Sequence, residues 1–180
     1  MNKYNTRVDH LTNQFVSKFE SLTESDLNWK SNSDTWSIAQ NIDHLISVNE
    51  SYMKVFLDLE KGDLELPFTR KFSFLSNFFG KTLLKAVGPD RNKKTKTFGI
   101  WQPQDSSLGE NILDRFIDCQ NELKKSIASL ENHLKKGPII HSPVNRQIVL
   151  PLHTALEIIL SHEERHFNQA REVAALLNKA

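Results

Sequence analysis

The chain has 180 residues, enough for one domain with a real hydrophobic core and short for two. Its 23 basic and 22 acidic residues leave a formal net charge of +1, so no global field draws it to nucleic acid or acidic lipid, and neither partner is expected. Apolar residues at 38% and charged residues at 25% exclude a disordered or fibrous chain, and the lone cysteine, Cys119, excludes an intramolecular disulfide and a Cys-rich zinc module.

The stretch "MNKYNTRVDHLTNQF" lacks the apolar run of a secretory signal, and nothing approaches the roughly 20 apolar residues of a membrane span, so the cytoplasm is the expected location. From Thr6 to about Leu22, Val8, Leu11, Phe15, Phe19 and Leu22 recur at helical spacing and predict a first helix. Polar residues follow in "TESDLNWKSNSDTW". Ser37 with Gln40 three residues on forms a capping box that opens a second helix, expected to run to about Glu60 with Gly62 just past its end. Trp36, before the cap, is placed to pack back on the first turn.

Residues 63–106 form the least regular part, with a short helix broken at Gly80 and a Gly-, Pro- and Lys-containing loop that includes "RNKKTK" at 91–96. A link this long has a topological use, since a crossover lets two successive helices run parallel. Ser107 and Glu110 make a second capping box for a third helix reaching about Leu134. "PIIHSPVNRQ" reads as a connector, and Pro151 sits near the first turn of a fourth helix running to about Asn178. No segment alternates as a strand. The expectation is an all-α chain, a single domain over 1–180 built as a four-helix bundle, up-down-down-up, with 63–106 as an excursion between the second and third helices.

The fourth helix carries the candidate site. In "SHEERHFNQA", His162 and His166 lie four residues apart, which suits a metal-binding pair, an acid and base, or two solvated polar side chains. The apolar stripe Leu152, Ala155, Leu156, Ile159, Ala170, Ala174 and Leu177 includes His166 and has His162 on its edge, so a solvated face fits His166 poorly. Glu163 also falls in the stripe, where a carboxylate is costly without a cation or donors. Two histidines facing an interior need a third ligand, and His44 of the second helix, beside Asn41 and Val48, is the better candidate. It lies well off the centre of its own helix's stripe. His10, His133, His141 and His153 are read as surface or structural.

"WSIAQNIDHLISVNE" followed far downstream by "HEERHFNQ" resembles the DinB-like (YfiT-like, damage-inducible) superfamily of metal-binding four-helix bundles, on Trp36, Ser37, His44, Leu45, His162, His166 and Gln169. The resemblance implies that His44, His162 and His166 bind one divalent ion, commonly zinc, nickel, iron or manganese, and that the second and third helices are parallel. It also implies a small-molecule substrate, with low-molecular-weight thiols such as bacillithiol or mycothiol as the expected class. Three neutral ligands would leave the ion its full charge and make a bound thiol or water strongly acidic. The expected function is a metal-dependent enzyme of detoxification or stress response, thiol S-transfer ahead of hydrolysis, with a non-catalytic metal-binding stress protein as the alternative.

Glu163 is the candidate catalytic residue, with a salt bridge to Arg165 as its structural alternative, and Asn41 and Gln169 are candidates for orienting the ligands. Trp36 and Phe72, Phe74, Phe78 and Phe79 are read as core and lid packing rather than a cofactor cage; a membrane-surface segment has only Lys71, Lys81 and Lys85 in its favour. The 91–96 cluster is read as a solvated loop, and Cys119 as an inert thiol. A homodimer is expected from the resemblance and from the apolar content of the helices.

Overall fold

The computed structural model describes residues 2–68, 73–88, 97–104, 108, 109 and 111–178. In chain order the elements are α1 (Lys3–Phe19), α2 (Glu24–Asn28), α3 (Ile38–Lys61), α4 (Ser73–Val87), a 3-10 turn (Gly99–Trp101), α5 (Ile112–Ser129), α6 (Glu131–Lys136), β1 (Ile139–Ser142), β2 (Asn145–Pro151) and α7 (Leu152–Leu177). The chain is mostly helical, as its periodicity predicts, and α1, α3, α5 and α7 are the four long segments.

Local signals set their ends. Asn2 caps α1 through its side-chain oxygen, which accepts the Tyr4 N–H at 3.1 Å and starts the helix three residues before the apolar pattern shows it. The Ser37 box closes as expected: Ser37 Oγ accepts the Gln40 N–H at 3.1 Å and Gln40 Oε1 accepts the Ser37 N–H at 3.2 Å. Gly62 ends α3 at φ +78°, a left-handed conformation in which a Cβ is disfavoured. The box expected at Ser107 and Glu110 lies outside the described residues.

Several expectations need correction. The polar stretch after α1 holds the short helix α2, capped by Thr23 and Asp26 and buried only through Leu27, too little apolar content to show a period. α4 runs unbroken through Gly80. That glycine lies against α7, where a Cβ would come within 2.9 Å of Thr154 Cγ2, so its lack of a side chain serves close packing at a modest cost in helix propensity. The third helix divides at Leu130 (φ −85°, ψ 4°), a turn that keeps Leu130 fully buried and Leu134 against the same core. The connector after it contains a hairpin: Ile139 pairs with Pro151 and Ile140 with Leu150 in an antiparallel ladder that shifts register between His141 and Ser142. β1 is four residues long, too short to display alternation, and such a hairpin is marginal alone. Ile140 and Leu150, both fully buried in the cluster that holds Tyr52 and Leu156, anchor it.

Cross-helix partners give the helix directions. Between α3 and α5, Asp43 meets Arg115 at 3.3 Å, Asn49 meets Gln120 at 3.4 Å and Glu60 meets Ser129 at 3.0 Å, numbers that rise together, so the two helices run in the same direction. Arg7 reaches Glu157 and Glu164 while Phe15 packs on Phe167, which makes α1 and α7 parallel as well. Asn41 with His166 and Asn49 with Glu163 run oppositely, so α3 and α7 are antiparallel.

Two apolar clusters fill the interior. One gathers Phe15, Phe19, Phe116 and Phe167, whose rings lie 4.7–6.0 Å apart; the other gathers Val8, Leu11, Val48, Tyr52, Phe56, Leu123 and Ile127 with the hairpin. The boundary between them falls between Ile46 and Val48 on α3, Cys119 and Leu123 on α5, and Leu160 and Phe167 on α7. Buried and half-buried polar residues gather at that boundary: Gln120 on α5 and His162, Glu163 and His166 on α7 fall within it, and on α3 His44 lies just before it and Asn49 just after.

Candidate metal centre

α7 places His162 and His166 one turn apart, and antiparallel packing brings His44 of α3 across to meet them. His44 is 2% exposed, His166 6%, and His162 is half-buried. His44 Nε2 lies 3.3 Å from His162 Nε2, His166 Nε2 lies 3.0 Å from the same atom, and the three nitrogens fall within 4.8 Å of one another.

The other ring nitrogens decide what these atoms carry. His44 Nδ1 lies 2.6 Å from the carbonyl oxygen of Trp101, which only accepts, so Nδ1 bears the proton and Nε2 presents a lone pair. His166 Nδ1 lies 2.8 Å from Asn41 Oδ1, and Asn41 is oriented by its own amide, which donates to the Ser37 carbonyl at 2.8 Å. His166 Nε2 therefore presents a lone pair too. The helix cap thus supports the site: Ser37 opens α3 and aligns Asn41, which in turn aligns His166.

Burial lowers the pKa of all three rings. For His44 the carbonyl bond and Asp43 partly oppose it; His162 and His166 are pushed well down, by burial first and then by neighbouring rings and Arg165. The histidines are consequently neutral at neutral pH, the form that ligates a metal. At least two lone pairs converge on one point, and a single His162 proton satisfies only one of them. A tetrahedral ion with nitrogen ligands at about 2.0–2.1 Å sets those nitrogens about 3.3 Å apart, close to the observed spacing. The residues fit a divalent cation such as zinc.

Trp36 covers the cluster, its ring 5.0 Å from that of His44 and 5.8 Å from that of His166 with the latter nearly parallel at 21°. Its packing role holds, but the rings it packs on are those of the metal centre. Phe78 is exposed and Phe79 half-buried, with ring centroids 5.9 Å apart. Phe72, the 91–96 cluster and the side chain of Phe74 lie outside the described residues.

Glu163 is fully buried, and its carboxylate faces α3 and α5. Asn49 Nδ2 donates to Oε1 at 2.8 Å and Gln120 Nε2 to Oε2 at 3.0 Å, so both oxygens are held by amides. Burial pushes its pKa up to about 7, against the two amide bonds. The buried carboxylate therefore has the donors its position demands, while Arg165 donates to the Ala86 carbonyl of α4 at 2.9 Å. Gln169 is half-buried and forms no hydrogen bond with the three histidines among the described residues.

Trp101, Asn49 and Gln120 are functional neighbours that the sequence did not single out. Trp101 sits in the irregular "FGIWQPQ", where no period places it. Asn49 and Gln120 are polar positions one turn from apolar ones, recognisable only once both helices are aligned with Glu163. His10 and His153 are exposed, His141 is buried beside Ser142 in the hairpin, and none joins the centre.

A mostly helical chain with a buried histidine triad, two of its ring tautomers fixed and three neutral nitrogens turned inward, defines a metal-binding protein class. The comparisons narrow it: a profile described as the DinB superfamily matches residues 7–170, and the chain belongs to that superfamily. It is similar to the uncharacterized protein YuaE of Bacillus subtilis (strain 168), at 26% identity over 164 residues, covering 91% of this chain and 92% of that protein. No solved structure matches significantly.

Proposed function

We propose that this protein is a metal-dependent enzyme of detoxification or stress response that transfers a low-molecular-weight thiol to an electrophile. The observation that carries the reading is the convergence of His44, His162 and His166 through nitrogens whose partner atoms are already committed to Trp101 and Asn41. A divalent ion held by three neutral ligands keeps its full charge and lowers the pKa of a thiol or water brought to it.

The chain's own residues supply the rest. The carbonyl of Trp101 and the amide of Asn41 hold two rings in the ligating tautomer, and Trp36 shields them from water on one side. His162, half-buried where the other two are buried, lies on the side from which a substrate would approach. We assign Glu163 to joining α3, α5 and α7 at the level of the histidines rather than to proton transfer, since both of its oxygens are occupied by amides. The same reading takes α1, α3, α5 and α7 as one up-down-down-up four-helix bundle in a single domain, supported by the cross-helix pairings. No described helix is long and apolar enough to cross a membrane, and a cytoplasmic homodimer is part of the proposal.

The test is turnover by zinc, nickel and manganese forms against thiol–electrophile pairs and against ester and amide panels. Thiol transfer that disappears in His162→Ala is the expected result. Ester or amide hydrolysis alone would replace this reading with a hydrolase, and metal binding without turnover would replace it with a binding protein.

A further inference from the structure

The segment at 97–104 is fastened along one length of α3. Gln40 Nε2 donates to the Gln104 carbonyl at 2.9 Å, His44 Nδ1 to the Trp101 carbonyl at 2.6 Å, and Trp101 Nε1 to Ser51 Oγ at 3.0 Å. The Trp101 indole also lies nearly parallel to the Tyr52 ring, 6.5 Å away at 21°, and Phe98 meets the same indole edge-on at 5.9 Å. Ser51 is itself oriented: its hydroxyl donates to the Val48 carbonyl at 2.6 Å, which leaves oxygen lone pairs for the indole N–H.

The chemistry of His44 makes this attachment matter. Its ring reaches the other histidines only through Nε2, and Nε2 holds a lone pair only while Nδ1 keeps the proton. The acceptor for that proton comes from a single 3-10 turn, whose carbonyl no long helical ladder holds in place. What locates it is the side chain of the same residue, pinned by the hydroxyl of Ser51 two turns along α3 from His44.

We infer that Ser51 and Trp101 are positioning residues of the metal centre: their hydroxyl–indole bond holds the Trp101 carbonyl against His44 and thereby sets the tautomer that binds metal. The inference rests on the metal-binding reading and adds to it the two residues through which the excursion tunes affinity. Outer acceptors of this kind typically alter metal affinity by about 10- to 100-fold.

Dissociation constants for Zn(II) and Co(II), measured by chelator competition on the full chain, test it. Val and Thr have nearly the same shape and differ in the hydroxyl, so Ser51→Val and Ser51→Thr isolate the bond from the packing. Trp101→Phe keeps an aromatic ring beside Tyr52 and removes the donor together with part of the indole's bulk, so the Ser51 pair carries the isolation of the bond. Ser51→Val and Trp101→Phe are each expected to weaken binding about tenfold, the double variant no further than either single one, and Ser51→Thr to stay near wild type. Thermal midpoints of the metal-free variants follow in parallel, because a merely structural role would lower these without the pairwise non-additivity in affinity. Wild-type affinity in Ser51→Val, or losses that add fully in the double variant, would overturn the inference while His162→Ala still abolishes binding. Undiminished binding in His162→Ala would instead overturn the metal site beneath it.

Discussion

Replacing Glu163 by Gln in metal-free protein should alter the pH dependence of stability by a calculable amount. The carboxyl is fully buried and its pKa rises from 4.5 to about 7 on folding. Between those values the folded state binds the proton that the unfolded chain releases, so the group's contribution is fully present below pH 4.5 and is lost as pH rises through 7. A shift of this size corresponds to about 3 kcal/mol. Gln cannot ionise and escapes that loss. It faces two amide donors, and the Asn49 side-chain oxygen, buried without a partner, becomes its acceptor if the Asn49 amide turns over. The stability of Glu163→Gln relative to wild type should therefore improve by about 3 kcal/mol between pH 4.5 and pH 8, less any constant hydrogen-bond loss of about 1 kcal/mol. Urea denaturation of both proteins in chelator at several pH values measures it. A stability difference that does not change with pH would refute the claim that burial outweighs the Asn49 and Gln120 amide bonds at this carboxylate.

Other consequences follow from the same structure. Asn41→Ala removes the acceptor that fixes His166 and should weaken zinc binding about 10- to 100-fold, read by chelator competition. The three histidines have folded pKa values below 6.5, so metal-free protein, with Glu163→Gln as background, should hold its stability above that pH and lose it on acidification by up to about 1.4 kcal/mol per pH unit for each ring; replacing the triad with Asn should flatten the curve. Cys119 is buried and its thiol is pushed up to about 12, so native protein should resist alkylation at pH 8 and react at once when unfolded, as mass spectrometry would show.

The long helices are legible in the sequence because each buries a stripe at helical spacing, and the Ser37 box and Gly62 mark the bounds of α3 almost to the residue. His162 and His166 are legible for the same reason: a polar pair with one member inside an apolar stripe and the other on its edge asks for an explanation. His44 is less so, since nearly the whole first half of α3 is buried and no single stripe distinguishes its inward side. The hairpin escapes notice because its apolar residues form two short runs rather than an alternation. The environment of Glu163 depends on Asn49 and Gln120, 114 and 43 residues away on other helices, and the acceptor for His44 is a backbone carbonyl, which any residue at position 101 would possess. Pairings of that kind come from tertiary packing and leave no local pattern to read.

The central claim is that His44, His162 and His166 together hold one divalent ion. Equilibrium dialysis of purified chain against zinc, with metal counted by mass spectrometry, tests it directly when wild type is compared with His44→Ala, His162→Ala and His166→Ala and each variant's fold is checked by circular dichroism. The account predicts one tightly held ion per wild-type chain and loss of stoichiometric binding in every folded variant. Equal metal content in wild type and all three would contradict it.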